Sequence, residues 1–315
     1  MRERRNFTER AKTLTSTEVQ KKYFLVCEGE KTEVIYFNGI IEQKNKLGIS
    51  PLVELIPIIR SYSEEGWSNP KKILERIQQN ILETEEGYIS YETLLNWIMD
   101  FLDENILNSI LASYIWASLE TICEKNMHVK LSDKILNEDI HNVYSQILEK
   151  LKKITDWCDI IDNFPRSIES RAITYDKNLD KICFIIDRDK ESFISKPGND
   201  QYDYVLNKCR ENNFGFYLSN PCFEFWLLMH FDEVVNLDVN QLLSNPKITA
   251  KRRYAEDELR KLLPGYSKSK YSIKTLLDRV EKAIENEKKF CEDENQLKDC
   301  IGSRVGVLID ELKKQ

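Results

Sequence analysis

At 315 residues, with 41% hydrophobic and 10% aromatic content, the chain is long enough for one large domain or for a core domain carrying a substantial insertion. Ten glycines and eight prolines are too few for an all-β protein with many tight turns, so the composition points to α/β with extra helix. A net charge of −7 argues against a free-standing coat for DNA or RNA, and confines any nucleic-acid contact to a local patch or to metal ions that supply positive charge.

Residues 1–21 are rich in charge, with Arg2, Arg4, Arg5, Arg10, Lys12 and Lys21 outnumbering Glu3, Glu9 and Glu18. They read as a solvated terminus or, more sharply, as a basic arm touching phosphates. Lys22–Cys27 is a short apolar run entering Glu28-Gly29, the profile of a buried parallel strand running into a loop. From Thr32 to Leu47 apolar residues recur at helical spacing. Leu52–Ile59 reads as a second strand, with Pro57 marking an edge or an end. Asn69-Pro70 starts a helix to about Leu82, Asn as cap and Pro at the first helical position.

Residues 84–178 then carry three helical stripes: Tyr91, Leu94, Leu95, Ile98 and Leu102; Leu111, Tyr114, Ile115, Leu119 and Cys123; Ile140, Val143, Ile147, Leu148, Leu151 and Ile154. No period repeats, so this is a large all-helical insertion and not a repeat array. Its aromatic residues Trp97, Tyr114, Trp116 and Trp157 fit a core or a partner interface better than base stacking. The α/β pattern resumes with the buried strand Lys181–Ile186, which ends in Asp187-Arg188-Asp189. A helix over Gln201–Asn212, a strand at Phe214–Leu218 and a helix opened by Asn220-Pro221 and running through Phe231 come next. The remainder is helical, over Tyr254–Leu263, Ser272–Phe290 and Val305–Leu312. Strands interleaved with helices predict a mostly parallel sheet flanked by helices.

The eight cysteines form no C-x-x-C pair, and His128, His141 and His230 do not cluster with them, so a zinc site is not expected. Cys27 and Cys183 lie in apolar strands, where a thiol serves as a small hydrophobe in a reducing compartment. With no leader pattern and no apolar run approaching membrane length, the chain reads as cytoplasmic, without a membrane partner.

In an open parallel sheet, ligands bind beyond the carboxyl ends of the strands. Two of those ends are acidic here: the first strand delivers Glu28, and the third delivers Asp187 and Asp189, spaced to face the same side. Glu33, in the first turn of the next helix, is placed to point back toward them. Crowded carboxylates repel unless a hard cation neutralises them, and Mg²⁺ (or Mn²⁺) takes such oxygen ligands while leaving room for a substrate phosphate. Two ions about 4 Å apart suit an in-line phosphoryl displacement. Glu224 lies among Phe223, Phe225 and Trp226, where a carboxylate needs an ion pair, a metal or a hydrogen-bond network. Lys268 is either a solvated loop lysine or a group that stabilises charge on phosphate or protonates a leaving oxygen. Arg304 reads as a surface arginine before a phosphate contact, and His230 as a packed core histidine before a ligand.

Three stretches together resemble a known family: Val26-Cys-Glu28-Gly29-Glu-Lys-Thr32-Glu33; the strand ending Asp187-Arg-Asp189; and Asn220-Pro-Cys-Phe223-Glu224-Phe-Trp226, followed by His230-Phe231. They are similar to the RloB-like family of Toprim-domain nucleases related to OLD proteins, which includes the abortive-infection component AbiLii. Lys268, in Tyr266-Ser-Lys268, matches a Tyr-x-Lys element of that family. The resemblance covers about residues 22–82 and 181–312. It divides the chain into a basic arm (1–21), a first half of a Toprim core (22–83), the helical insertion (84–178), and a second half with a helical C-terminal region (179–315). The five-residue step from Glu28 to Glu33 is one wider than in OLD nucleases.

The resemblance implies a divalent-metal endonuclease, with Glu28, Glu33, Asp187, Asp189 and Glu224 as metal ligands and Lys268 beside them. It further implies a DNA or RNA substrate, transfer RNA included, and a role as the toxic effector of an antiphage system. An SMC-like or AAA ATPase partner would supply nucleotide binding, because the sequence has no Walker A motif. The alternative is a catalytically inactive Toprim-like subunit that regulates such an ATPase. An aspartate-nucleophile phosphatase fits poorly, since Glu191 stands where its Asp-x-Asp motif needs Thr or Val.

Overall fold

The computed structural model describes residues 21–29, 31–58, 69–105, 109–155, 176–188, 200–250 and 252–315. Asp189, Glu191, Trp157, Cys158 and the N-terminal arm through residue 20 lie outside the described residues. The described chain forms two compact units, one within 75–176 and the other from 21–58, 69–74 and 177–315.

In chain order, the second of these units begins with β1 (Lys21–Cys27), α1 (Thr32–Gln43) and β2 (Val53–Ile58). Helix α2 (Pro70–Glu85) follows. Asn69 Oδ1 accepts from the Lys71 and Lys72 amides at 2.9 and 3.4 Å, so the Asn-Pro pair caps it as its sequence predicts.

The unit within 75–176 contains β3 (Tyr88–Ser90), α3 (Tyr91–Asn105), α4 (Ser109–Thr121) and a π-helical turn over Ile122–Met127. β4 (Lys134–Leu136) and α5 (Ile140–Lys152) complete its described elements. Leu94, Leu95, Ile98, Leu102, Ile115, Leu119, Cys123, Ile147, Leu148 and Leu151 pack into its core. Two stripe positions face solvent instead, Tyr114 (61% exposed) and Ile154 (49%). The expectation of an all-helical insertion needs correcting, because β3 and β4 pair antiparallel as a ribbon. Three residues per strand are too few to display a period of two against the helical pattern around them.

The rest of the sheet unit runs β5 (Lys181–Asp187), α6 (Tyr202–Glu211), β6 (Gly215–Asn220) and α7 (Phe223–Leu228). After it come α8 (Val239–Ser244), the hairpin β7 (Lys247–Thr249) and β8 (Arg252–Arg253), and α9 (Tyr254–Leu262). Helices α10 (Ile273–Leu277) and α11 (Val280–Glu287), strand β9 (Gly302–Ser303) and helix α12 (Val305–Lys313) close it. The five main strands lie in the order β2-β1-β5-β6-β9, with β9 alone antiparallel. The architecture is mixed α/β on a mostly parallel sheet. β1 and β5 are central strands, which is why five consecutive residues in each are buried (Tyr23–Cys27 and Ile182–Ile186). Pro57 sits in β2, an edge strand, where a missing amide is tolerated.

The stretch after Phe231, expected to be helical, also contains the β7–β8 hairpin and strand β9, each too short to display a strand period, and two helix boundaries differ from the sequence expectation as well. Asn220 ends β6 and does not cap a helix: its side-chain amide donates to the carbonyls of Leu297 (2.6 Å) and Cys300 (3.0 Å), and α7 starts at Phe223. The single helix expected over Ser272–Phe290 is two, α10 and α11, broken at Asp278-Arg279. No helix among the described residues is long and apolar enough to cross a membrane.

Candidate active site

β1 leads to its neighbour β2 on one side, whereas β5 leads to β6 on the other. The crevice between the carboxyl ends of β1 and β5 is therefore the topological switch point of the sheet, where open α/β proteins bind ligands. Glu28 and Asp187 stand there. The Glu28 amide extends the ladder by donating to the Ile185 carbonyl (2.9 Å), and the Glu28 carboxylate accepts from the Asp187 amide (3.0 Å).

The loop after β1 then folds so that Glu33 returns. Its Oε1 accepts from the Gly29 amide at 3.1 Å, and a Cβ on Gly29 would sit 1.9 Å from Glu33 Oε2. A residue without a side chain is what allows this approach, which gives the Glu-Gly-x-x-Thr-Glu spacing its physical reason. Thr32 fastens a second loop to the first: its hydroxyl donates to the Lys268 carbonyl (3.2 Å), and its own carbonyl accepts from the Tyr271 hydroxyl (2.6 Å).

Glu224 enters from the first turn of α7, only 4% exposed. Lys268 Nζ lies 3.1 Å from its Oε1, and the Tyr266 hydroxyl donates to the same oxygen at 3.3 Å. The aromatic setting of Glu224 is thus answered by an ion pair together with a hydrogen bond. Lys268 has its ammonium in that pair although its side chain is largely exposed, and the pairing with Glu224 raises its pKa. Asp187 carries the mark of the surrounding negative charge. Burial, then the charges of Glu33, Glu28 and Glu224, push its carboxyl well above the usual range, against a single lowering influence from Lys268. The Cys222 thiol feels the same field and is raised by burial, Glu224 and Asp187.

A model of the RloB-like protein family matches residues 23–100 and 112–312. The chain belongs to the RloB-like family. No curated protein and no solved structure matches it. The spans that match this family contain Glu28, Glu33, Asp187, Asp189, Glu224 and Lys268.

The oxygen-rich donor set of Glu28, Glu33 and Asp187 fits a hard divalent cation in its chemistry, and the neighbouring acids raise the Asp187 pKa more than Lys268 lowers it. These side chains are not drawn in around one point: among the described residues no three His, Cys, Asp or Glu stand as a metal cage. Glu224 is engaged by Lys268 and Tyr266, and Asp189 lies outside the described residues.

The remaining polar candidates have structural roles. His230 is buried, accepts at Nε2 from the Tyr36 hydroxyl (3.0 Å), and faces the Trp226 and Leu227 carbonyls with Nδ1. Burial depresses its pKa to about 3, so it is a neutral core histidine. Arg304 donates to the Phe216 and Glu292 carbonyls and pairs with Glu294, which ties it to the β9 region. Arg188, between the two aspartates of the motif, is buried against Asp200 (2.6 Å) and the Lys298 carbonyl (3.1 Å). Sequence reasoning did not single out Thr32, Tyr271 or Cys222 as site residues. Only proximity to Glu33, Lys268 and Glu224 in the chain signalled them.

Proposed function

We propose that this chain is a divalent-metal-dependent endonuclease of Toprim type that cleaves phosphodiester bonds of DNA or RNA. The reading rests on one observation above the others. Glu28 and Asp187 stand at the switch point of the sheet with Glu33 folded back by its bond to Gly29, and the charges of Glu33, Glu28 and Glu224 act on Asp187 against that of Lys268. A fold that holds such mutual repulsion, at a cost of stability, has a use for a cation there.

Glu28, Glu33 and Asp187, with Asp189 of the same motif, would hold Mg²⁺ or Mn²⁺, and two ions are the expected number. When bound, such ions neutralise the phosphodiester and make water a competent nucleophile. Within the chain's own residues, the candidate for taking the proton of the attacking water is a carboxylate oxygen of Glu33 that is not holding an ion. Lys268 acts as fixed positive charge on a phosphate oxygen. Its raised pKa makes it a poor proton donor to the leaving group, so charge stabilisation is the better account of the two open for it. Glu224 and Tyr266 position that lysine.

The sequence resemblance to a family that includes an abortive-infection component extends the proposal to a toxic effector of antiphage defence that works beside an SMC-like or AAA ATPase. The test is cleavage of supercoiled plasmid DNA and of transfer RNA by purified protein with Mg²⁺ or Mn²⁺, beside Glu28→Gln and Asp187→Asn controls. Sequencing nucleic acids from cells expressing the wild type or Asp187→Ala identifies the target. Equal products from wild type and variants would refute the proposal.

A further inference from the structure

We infer that two basic segments bordering the carboxylates of Glu28, Glu33, Asp187 and Glu224 (the acidic cup), the described residues of 247–253 and residues 268–274, form a track that seats the phosphate backbone of a polynucleotide. The first contains Lys247, Lys251, Arg252 and Arg253, the second Lys268, Lys270 and Lys274, and neither contains an acid. Seven cations in these fourteen positions compare with about two expected from 46 in 315, in a chain of net charge −7. This is the local patch that an acidic protein needs if it handles phosphate chains at all.

Hydrogen bonds fasten both segments to the cup. Asn245 buttresses the hairpin: its carbonyl accepts from Arg253 Nη1 (3.3 Å), its Oδ1 from the Ala255 amide (3.0 Å), and its Nδ2 donates to Cys222 Sγ (3.5 Å). Cys222 stands two residues before Glu224 and within the field of Glu224 and Asp187. On the other side, Lys268 pairs with Glu224, while Thr32 bonds the Lys268 carbonyl and the Tyr271 hydroxyl. The two segments are therefore anchored to the same carboxylate-bearing elements.

Part of this charge is paired, Arg252 with Asp257 and Lys268 with Glu224, and the lysines at 247, 270 and 274 are the ones presented to solvent. Of the acids that follow the hairpin on α9, Glu256 pairs with Arg260, Glu258 with Lys261, and Asp257 with both Arg252 and Lys261. Lys247, Lys270 and Lys274 are exposed, and the whole of β7 faces solvent. Both segments are tied to the α7 end of the site, Asn245 to Cys222 and Lys268 to Glu224, so a polymer whose phosphates rest on them is held beside the carboxylates. The inference takes the chemistry at the cup from the nuclease reading, while the binding surface stands on its own observations.

The experiment is fluorescence anisotropy of the full chain with a labelled 30-nucleotide DNA strand, the RNA strand of the same sequence, and both duplexes. It is done in EDTA over a range of KCl concentrations. Each phosphate contact contributes about 0.7 to the slope of log Kd against log salt for a single strand. Lys247→Gln/Lys270→Gln should flatten that slope by about 1.4 and weaken binding ~10-fold or more at low salt. Lys125→Gln/Lys130→Gln, with the same charge change at exposed sites in the other unit, should match the wild type. A preference for one polymer names it. Wild-type affinity and slope in the 247/270 variant, or no binding of any probe by the wild type, overturns the track. Absence of cleavage by a protein that still binds through these lysines refutes the nuclease and leaves the track standing. Cleavage with normal binding by the variant does the reverse.

Discussion

Replacing Lys268 by methionine keeps most of the side-chain stem and deletes only the ammonium that sits 3.1 Å from Glu224 Oε1. Two unit charges at that distance attract by ~5 kcal/mol at an effective dielectric of 20, and by ~1 kcal/mol in bulk water. Glu224 is 5% exposed at its side chain, but Lys268 is 64% exposed, so solvent pulls the value toward the lower figure. The Tyr266 hydroxyl remains as a partner in the variant. A net coupling of about 1–2 kcal/mol follows, corresponding to roughly 2–3 °C in melting temperature for Lys268→Met. Glu224→Gln should rescue most of that loss, because the double variant buries no unpaired charge. Urea denaturation of the four proteins in EDTA gives the double-mutant cycle. A coupling below ~0.3 kcal/mol, which is within additivity error, would refute the assignment of Lys268 as the counter-ion of Glu224. Repeating the cycle with 10 mM Mg²⁺ separates two roles for Glu224. A positioning residue leaves the Mg²⁺ response intact in Glu224→Gln, whereas a metal ligand abolishes it.

Asp187→Asn should stabilise the protein in EDTA near neutral pH. The folded state raises the Asp187 pKa, so its penalty is absent in acid, grows as pH rises above the usual carboxylate range, and is complete above the raised value. Excess Mg²⁺ at ~100 times its Kd should raise wild-type stability by about 2.7 kcal/mol and the variant by much less; equal responses in thermal melts would argue against a metal held by Asp187. Gly29→Ala forces Glu33 aside, since the new Cβ would lie 1.9 Å from its carboxylate oxygen. Nuclease activity should fall ~100-fold, the scale of a 1 Å misplacement, with little change in melting, and an alanine variant of full activity would show that Glu33 is dispensable. Glu287 is buried and accepts from the Gly306 and Val307 amides, with burial raising its pKa from 4.5 to about 7. Stability should therefore decline by about 3 kcal/mol as pH rises from 4.5 through 7, and Glu287→Gln should remove that slope in denaturation midpoints.

The parts legible in the sequence were those where one residue type meets one physical demand. Strands β1 and β5 are read from uninterrupted apolar runs because central parallel strands are buried on both faces. Asn69-Pro70 reads as a helix start because its cap is local. Asn220-Pro221 shows the same letters and does something else. The Asn220 side chain is drawn to the Leu297 and Cys300 carbonyls, some 80 residues later in the chain, and no local pattern encodes that bond. The ribbon of β3 and β4 stayed hidden because each strand is three residues long and surrounded by helix.

The same contrast runs through the site. Glu28 and Asp187 were legible as acidic strand ends, since a parallel sheet sends successive strand ends to one edge. What the local sequence does not state is how their charge is managed. Glu224 meets its cation and its hydroxyl partner more than 40 residues away, on a loop whose lysine the sequence left open between a solvated residue and a phosphate-facing one. That loop is in turn fixed by Thr32, beside Glu33 and more than 230 residues earlier. Repulsion among carboxylates is visible in sequence wherever acids cluster at strand ends, whereas relief of repulsion depends on partners distant in the chain. Lys268 could be named from the sequence as a candidate, but its pairing with Glu224 could not. The lysines of 247–253 and 268–274 follow the same logic: their meaning comes from the elements they are fastened to.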